Sequence, residues 1–352
     1  MSYRQDFLDV LEGKKPKTFP ATEFMMFWPE CHPIYSKKAG MEDLAKYFGI
    51  STPVAVPCFI NAFPAFERKI LSETEDRMTL VNEEGITCMI EKGTSAMPHY
   101  IDFPIKDRAT FEEYKKRLDW KTPERVSDLT DFIHNVREND VLTQLVTRGP
   151  FAFLRDFINF EDLMYLFADE PELISEMTSF HADFVVGLFG RVFEQFVPDI
   201  VYLGEDMAYK TSSMISPAMI EQFIFPAWKK IIDFVKAHGV KVVILDSDGY
   251  TMDILPIAVK AGFTATLPLE RAANMDGEVV REKFPKLGLI GGVDKLKLSA
   301  NINEIDAEID KAVRLYKQGY YIPCCDHSVP PIVSFENYEY YITKLKQRLL
   351  SV

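Results

Sequence analysis

The chain has 352 residues, 47% apolar and 26% charged, with a formal net charge of −13. This supplies apolar material for a sizeable core, and the acidity argues against nucleic-acid binding, which needs a basic stripe to neutralise phosphates. No apolar run approaches the ~20 residues of a membrane span, the N-terminus carries no secretory apolar stretch, and the odd set Cys31, Cys58, Cys88, Cys324 and Cys325 has no ligand-like spacing. A cytoplasmic protein with reduced thiols is expected.

Residues 5–13 predict a short amphipathic helix ending at Gly13. Thr18 to Tyr35 is rich in aromatics and methionine, with Pro20, Pro29 and Pro33 as breakers. Residues 53–60 predict the first buried strand. Arg77 to Glu91 predicts a hairpin, two alternating runs joined by Asn82-Glu-Glu-Gly85, inserted where it can line or cover a site. Charged helices are predicted over 111–118 and 126–137. A strand over 141–146 then runs into Thr147-Arg148-Gly149-Pro150. Asp169-Glu-Pro171 divides 160–196 into two helices, and Ser216-Pro217 opens another that runs to Gly239.

Five later apolar runs each hand over to a polar cluster. They lead into Glu205-Asp206, Asp246-Ser-Asp248, Glu270, Asp294-Lys295 and Asp326-His327. Apolar runs alternating with helices predict β/α units and a parallel sheet. The expected fold is a (β/α)8 TIM barrel in one domain, 1–352, with an N-terminal extension and a β-hairpin insertion within 1–140. Loops after barrel strands share one face, where chemistry sits, so carboxylates, a lysine and a histidine gathered there point to an enzyme.

Alternate residues leaving a strand point the same way, so Asp246 and Asp248 can face one metal ion or one proton. Otherwise Asp248 and Gly249 shape a turn and cap the next helix. His327 ends a predicted strand, unlike His134, His181 and His238 on helices; it is a site residue or a hydrogen-bonded loop histidine. Glu205 and Glu270 are candidate proton donors, or rim partners of Lys295 and Arg148. Phe24, Phe27, Trp28 and Phe63, with His32 beside them, are either core closing the barrel or an apolar pocket for an aromatic or methylated substrate.

Gly204-Glu-Asp-Met-Ala-Tyr-Lys, Ile215-Ser-Pro-Ala-Met, Leu245-Asp-Ser-Asp-Gly, Leu267-Pro-Leu-Glu, Gly291-Gly-Val-Asp-Lys and Tyr321-Ile-Pro-Cys-Cys-Asp-His-Ser-Val-Pro-Pro resemble, in order and spacing, the uroporphyrinogen decarboxylase superfamily. The resemblance covers roughly 140–350 and implies a distorted barrel with its site at the C-terminal mouth, in a superfamily whose members are often homodimers. True porphyrinogen decarboxylases hold their polyacid with an early Arg-Gln-Ala-Gly-Arg motif. Here Phe24-Met-Met-Phe-Trp-Pro-Glu stands there, and no arginine lies between Arg4 and Arg68.

The cobamide-dependent methyltransferase branch binds zinc through His-x-Cys-Gly and a late Cys. In this chain Asp246-Ser-Asp248-Gly249 and His327 take those places. The resemblance therefore implies methyl transfer from a small substrate, such as a methoxylated aromatic, to a corrinoid on a partner protein. Asp246, Asp248 and His327 would hold zinc or another divalent metal, while Glu205 or Glu270 gives a proton or supports the ligands. Decarboxylation of a smaller carboxylated substrate and a non-catalytic corrinoid- or ligand-binding barrel are the alternatives.

Overall fold

The structure, a computed structural model, describes residues 2–94 and 96–350. In chain order come β1 (Val54–Ala55), β2 (Lys69–Glu73), β3 (Arg77–Val81), β4 (Thr87–Glu91) and β5 (His99–Asp102). The repeat proper follows with β6 (Thr143–Arg148), β7 (Ile200–Gly204), β8 (Val242–Asp246), β9 (Ala265–Leu267), β10 (Gly288–Ile290) and β11 (Tyr321–Ile322). β1 and β6 to β11 form one parallel sheet in sequence order, curled into a distorted (β/α)8 barrel. Val201 of β7, for instance, lies in register between Leu145 of β6 and Val243 of β8.

Period-two alternation gives each strand two apolar faces. Ile200, Val242, Ile244, Ala265, Leu267, Ile290 and Ile322 pack together inside the barrel. Val201, Leu203, Val243 and Leu245 join the outer core with helices such as Pro171–Phe193 and Phe225–Ala237. The helix Tyr3–Leu11 closes the N-terminal end, packing Phe7, Val10 and Leu11 against Leu142, Ile200 and Val242. Arg4 pins it there with a bidentate pair to Asp199, at 2.9 and 2.7 Å.

The seam between β11 and β1 is filled by residues 21–28, without a regular ladder. Ser51 N donates to Ala21 O at 3.0 Å and Trp28 N to Val329 O at 3.0 Å. The buried Glu23 accepts Cys325 N at 2.9 Å and the Tyr338 hydroxyl at 3.0 Å. This segment ties the His327 loop to the N-terminal part of the chain.

Several expected elements change extent. The strand expected over 53–60 shortens to Val54–Ala55, between Pro53 and Pro57, which donate no ladder bond. The helix capped by Ser216, whose Oγ accepts Met219 N at 3.2 Å, contains a π turn at Ile220–Ile224. The hairpin is present as β3 and β4 but is the centre of a four-stranded antiparallel sheet flanked by β2 and β5. All residues of β2 and β5 are exposed, so no buried alternation marked them. This arm reaches the barrel mouth through its turn, where Glu84 lies 3.7 Å from Arg148.

Candidate functional site

Alternation inside the barrel decides which rim residues face the mouth. On β6 the inward set is Gln144, Val146 and Arg148; on β7 it is Tyr202 and Gly204, continuing to Asp206; β8 continues from Ile244 to Asp246 and Asp248. Asp206 has the uncommon φ of +41° as the chain turns off its strand. Asp206, Asp246 and Asp248 each offer an oxygen, and these atoms all lie within 4.8 Å of one another. Oδ1 of Asp246 and Oδ1 of Asp248 are buried without a hydrogen-bond partner.

Burial first, then the charges of Asp206 and Asp248, push Asp246 up to about 8, against the opposing pull of a Tyr202 hydrogen bond and of His327. Burial and Asp248 raise Asp206 as well. His327 Nε2 stands 3.6 Å from Asp248 Oδ2, and that carboxylate raises the imidazole pKa. The three acids thus repel one another, Asp246 buried and Asp206 and Asp248 partly exposed at the rim, the situation a cation or shared protons relieve.

Asp248 is held by a turn and caps no helix; the next helix begins at Leu255. Gly249 has φ +83°, and a Cβ there would come 2.5 Å from Tyr209 O. Its N–H donates to Glu270 at 2.9 Å. Glu270 also lies 3.6 Å from Lys295, which is 3.6 Å from Asp326. Asp326, 1% exposed, accepts Arg271 N at 3.0 Å and Lys295 N at 3.1 Å.

Glu205 is on the other face of its strand. Fully buried, it accepts Phe151 N and Ala152 N, both at 2.9 Å, at the start of the helix Pro150–Phe157, and also Trp228 Nε1. Burial pushes it up to about 7. A Cβ on Gly149 would fall 2.0 Å from its carboxyl, so glycine is required for this approach. Of the acidic pair after β7, Asp206 joins the site and Glu205 anchors a helix. Counting by twos from Tyr202 was the signal that separates them.

Arg148 donates from Nε to Asp156 at 3.0 Å and from Nη1 to Asn61 at 2.9 Å, with its guanidinium over the Phe157 ring. Arg155 donates to the other Asp156 oxygen at 3.0 Å and to Asp206 O at 3.0 Å. Between them and the triad opens a cavity of about 300 Å³, whose lining includes Ile60, Asn61, Val146, Tyr202 and Asp206.

The aromatic candidates separate. Phe24 stacks on Tyr202, centroids 6.1 Å apart and planes 7° from parallel, beneath the triad. Phe27 is outer core against Tyr338 and Phe48. Phe63 packs on Phe59, and Trp28 and His32 are exposed. None of the five lines the 300 Å³ cavity.

The donor set fits a hard divalent ion, because three carboxylates with two unpartnered oxygens supply what magnesium or manganese takes. It does not fit thiolate-bound zinc. All five cysteines are unpaired thiols, and burial raises Cys31 to about 11 and Cys58 to about 12.

A parallel barrel with ionisable groups gathered on its strand-end loops has the layout of a barrel enzyme. The chain belongs to the uroporphyrinogen decarboxylase (URO-D) family, which matches residues 77–348. Among curated proteins none matches significantly. A solved methyltransferase from Methanosarcina mazei is similar in fold, with a TM-score of 0.61 at 16% identity over 99% of each chain. A B12-independent methionine synthase from Shewanella aligns more loosely, with a TM-score of 0.47 at 9% identity over 95% of this chain and 97% of its own. No helix among the described residues is long and apolar enough to cross a membrane.

Proposed function

We propose that the protein is a methyl-transfer enzyme of the URO-D family. It would move a methyl group from a small methylated compound, such as a methoxylated aromatic, to a corrinoid on a separate protein. The observation that carries this reading is the triad Asp206, Asp246 and Asp248, with two buried unpartnered oxygens at the mouth. These residues would hold a divalent ion, and His327, beside Asp248, would be a further ligand or proton donor. Such an ion would supply Lewis acidity to the substrate heteroatom, improving the leaving group. Tyr202 orients Asp246, Glu270 fixes the Asp248 turn through Gly249 N, and Phe24 supplies the aromatic floor under Tyr202. Lys295 compensates Glu270 and Asp326, Arg148 walls the cavity, and Glu205 supports the strand end from behind.

A porphyrinogen is a poor fit: no arginine lies between Arg4 and Arg68, and a cavity of about 300 Å³ is small for a tetrapyrrole. One observation favours a second reading. Asp246, protonated up to about pH 8, and His327 paired with Asp248 can donate a proton to a carbanion left by decarboxylation of a smaller acid. Elemental analysis of purified chain beside an Asp246→Ala/Asp248→Ala variant tests the choice. Near-stoichiometric divalent metal lost in the variant supports methyl transfer. Metal-free chain that releases carbon dioxide moves the assignment to decarboxylation, and ligand binding without turnover sinks both.

A further inference from the structure

We propose that the closed end of the barrel carries a second binding site, which takes a small phosphate monoester with an apolar body. It stands apart from the methyl-transfer reading, because Val10 of the helix Tyr3–Leu11 lines it and that helix closes the end opposite the triad. There a cavity of about 690 Å³ lies between the loop 13–19 and the turn 316–319. Lys14, Lys15, Lys17 and Lys317 line it and no Asp or Glu does, in a chain whose formal net charge is −13. Lys14 pairs with Glu12, whereas among the described residues no carboxylate pairs with the side chain of Lys17 or Lys317. Glu12 cancels Lys14 and the buried Asp6 cancels one more, so at least one positive charge is in excess before Lys15 is counted.

The lysine loop is held in place by the chain itself. Asp6, 2% exposed, accepts Lys17 N at 2.7 Å and the Thr18 hydroxyl at 2.6 Å. Gly13, at φ +72°, lets the backbone lie on Tyr320, whose ring a Cβ would meet at 2.1 Å. Phe19 packs edge-on against Tyr316, with centroids 5.6 Å apart. Together with Val10 and Leu349 these two rings give the cavity an apolar wall beside its exposed ammonium groups. An ammonium is a point donor that meets a tetrahedral phosphate from any side, unlike the planar fork of arginine. A phosphate monoester brings about two negative charges, more than a carboxylate does. The volume is that of an ordinary small-molecule site.

Isothermal titration of the full chain with naphthyl phosphate and with naphthol, its uncharged counterpart, tests the inference. The phosphate is expected to bind at least about tenfold more tightly, the worth of one charge-assisted hydrogen bond. Lys17→Gln/Lys317→Gln is expected to abolish that preference. The two single variants are each expected to reduce it, and they carry the test if the double variant fails to fold. The Asp246→Ala/Asp248→Ala chain is expected to keep the preference, which separates this cavity from phosphate held by a metal at the mouth. Equal binding of the two probes, an unchanged preference in a folded lysine variant, or its loss in the Asp246→Ala/Asp248→Ala chain overturns the inference.

Discussion

Two groups of carboxylates stand on the same rim a few strands apart, and the chain treats them in opposite ways. On the β9 to β11 side, Glu270 and Asp326 share Lys295 and accept backbone N–H groups from Gly249, Arg271 and Lys295. On the β7 to β8 side, Asp206, Asp246 and Asp248 face one another with two oxygens unpartnered. Buried polar groups are almost always paired, so two unpaired oxygens clustered in one acidic group at the mouth mark a candidate binding place. The first group builds the rim; the second is the one the proposed chemistry would use.

That contrast breaks most clearly if the Asp246→Ala/Asp248→Ala variant keeps its metal. The expected result is loss of the ion and a fall in turnover of at least about 100-fold, with the urea midpoint unchanged or higher because mutual repulsion is relieved. Glu205→Ala is expected to do the reverse on the same rim. It strands three buried donors and costs about 3 kcal/mol of stability by urea unfolding. Lys295→Met is expected to cost about 2 kcal/mol, since Asp326 stays buried with only its backbone donors.

A pH series sharpens the comparison further. Asp246 holds its proton to about pH 8 when folded, against 3.8 for an unperturbed aspartate. Between those values the folded chain binds more protons than the unfolded one, so stability falls as pH rises through the window. Asp246→Asn is expected to flatten part of that slope in urea melts. Buried Glu23 and Glu205, raised to about 8 and about 7, contribute with the same sign, as do Asp206 and Asp326, which burial also raises. Metal affinity is expected to rise with pH over the same range, because the ion competes with the Asp246 proton.

Much of this was legible in the residues. Five apolar runs each ending in a polar cluster are β7 to β11, and Asp246-Ser-Asp248 leaves its strand with both carboxylates on one side. What could not be read is what needs three dimensions. Alternation from Tyr202 puts Glu205 and Asp206 on opposite faces, but only the facing helix Pro150–Phe157 shows that the first is satisfied by its N–H groups. Phe24 and Phe27, three residues apart in one aromatic run, end up under the triad and in the outer core respectively. β2 and β5 were invisible because their pairing partner is another strand and their side chains meet water.

The helix Tyr3–Leu11, sealed under the strands by Phe7, Val10 and Leu11, has a kinetic consequence. A barrel plugged at one end has a single doorway, so whatever reaches Asp246 enters and leaves past the same rim. In the proposed reaction a small donor and a bulky cobalt-bearing partner share that doorway. The small molecule must board first, and it is trapped while the partner is seated. Initial-rate patterns of that proposed reaction are therefore expected to be those of compulsory order, with the partner's departure preceding release of the demethylated product.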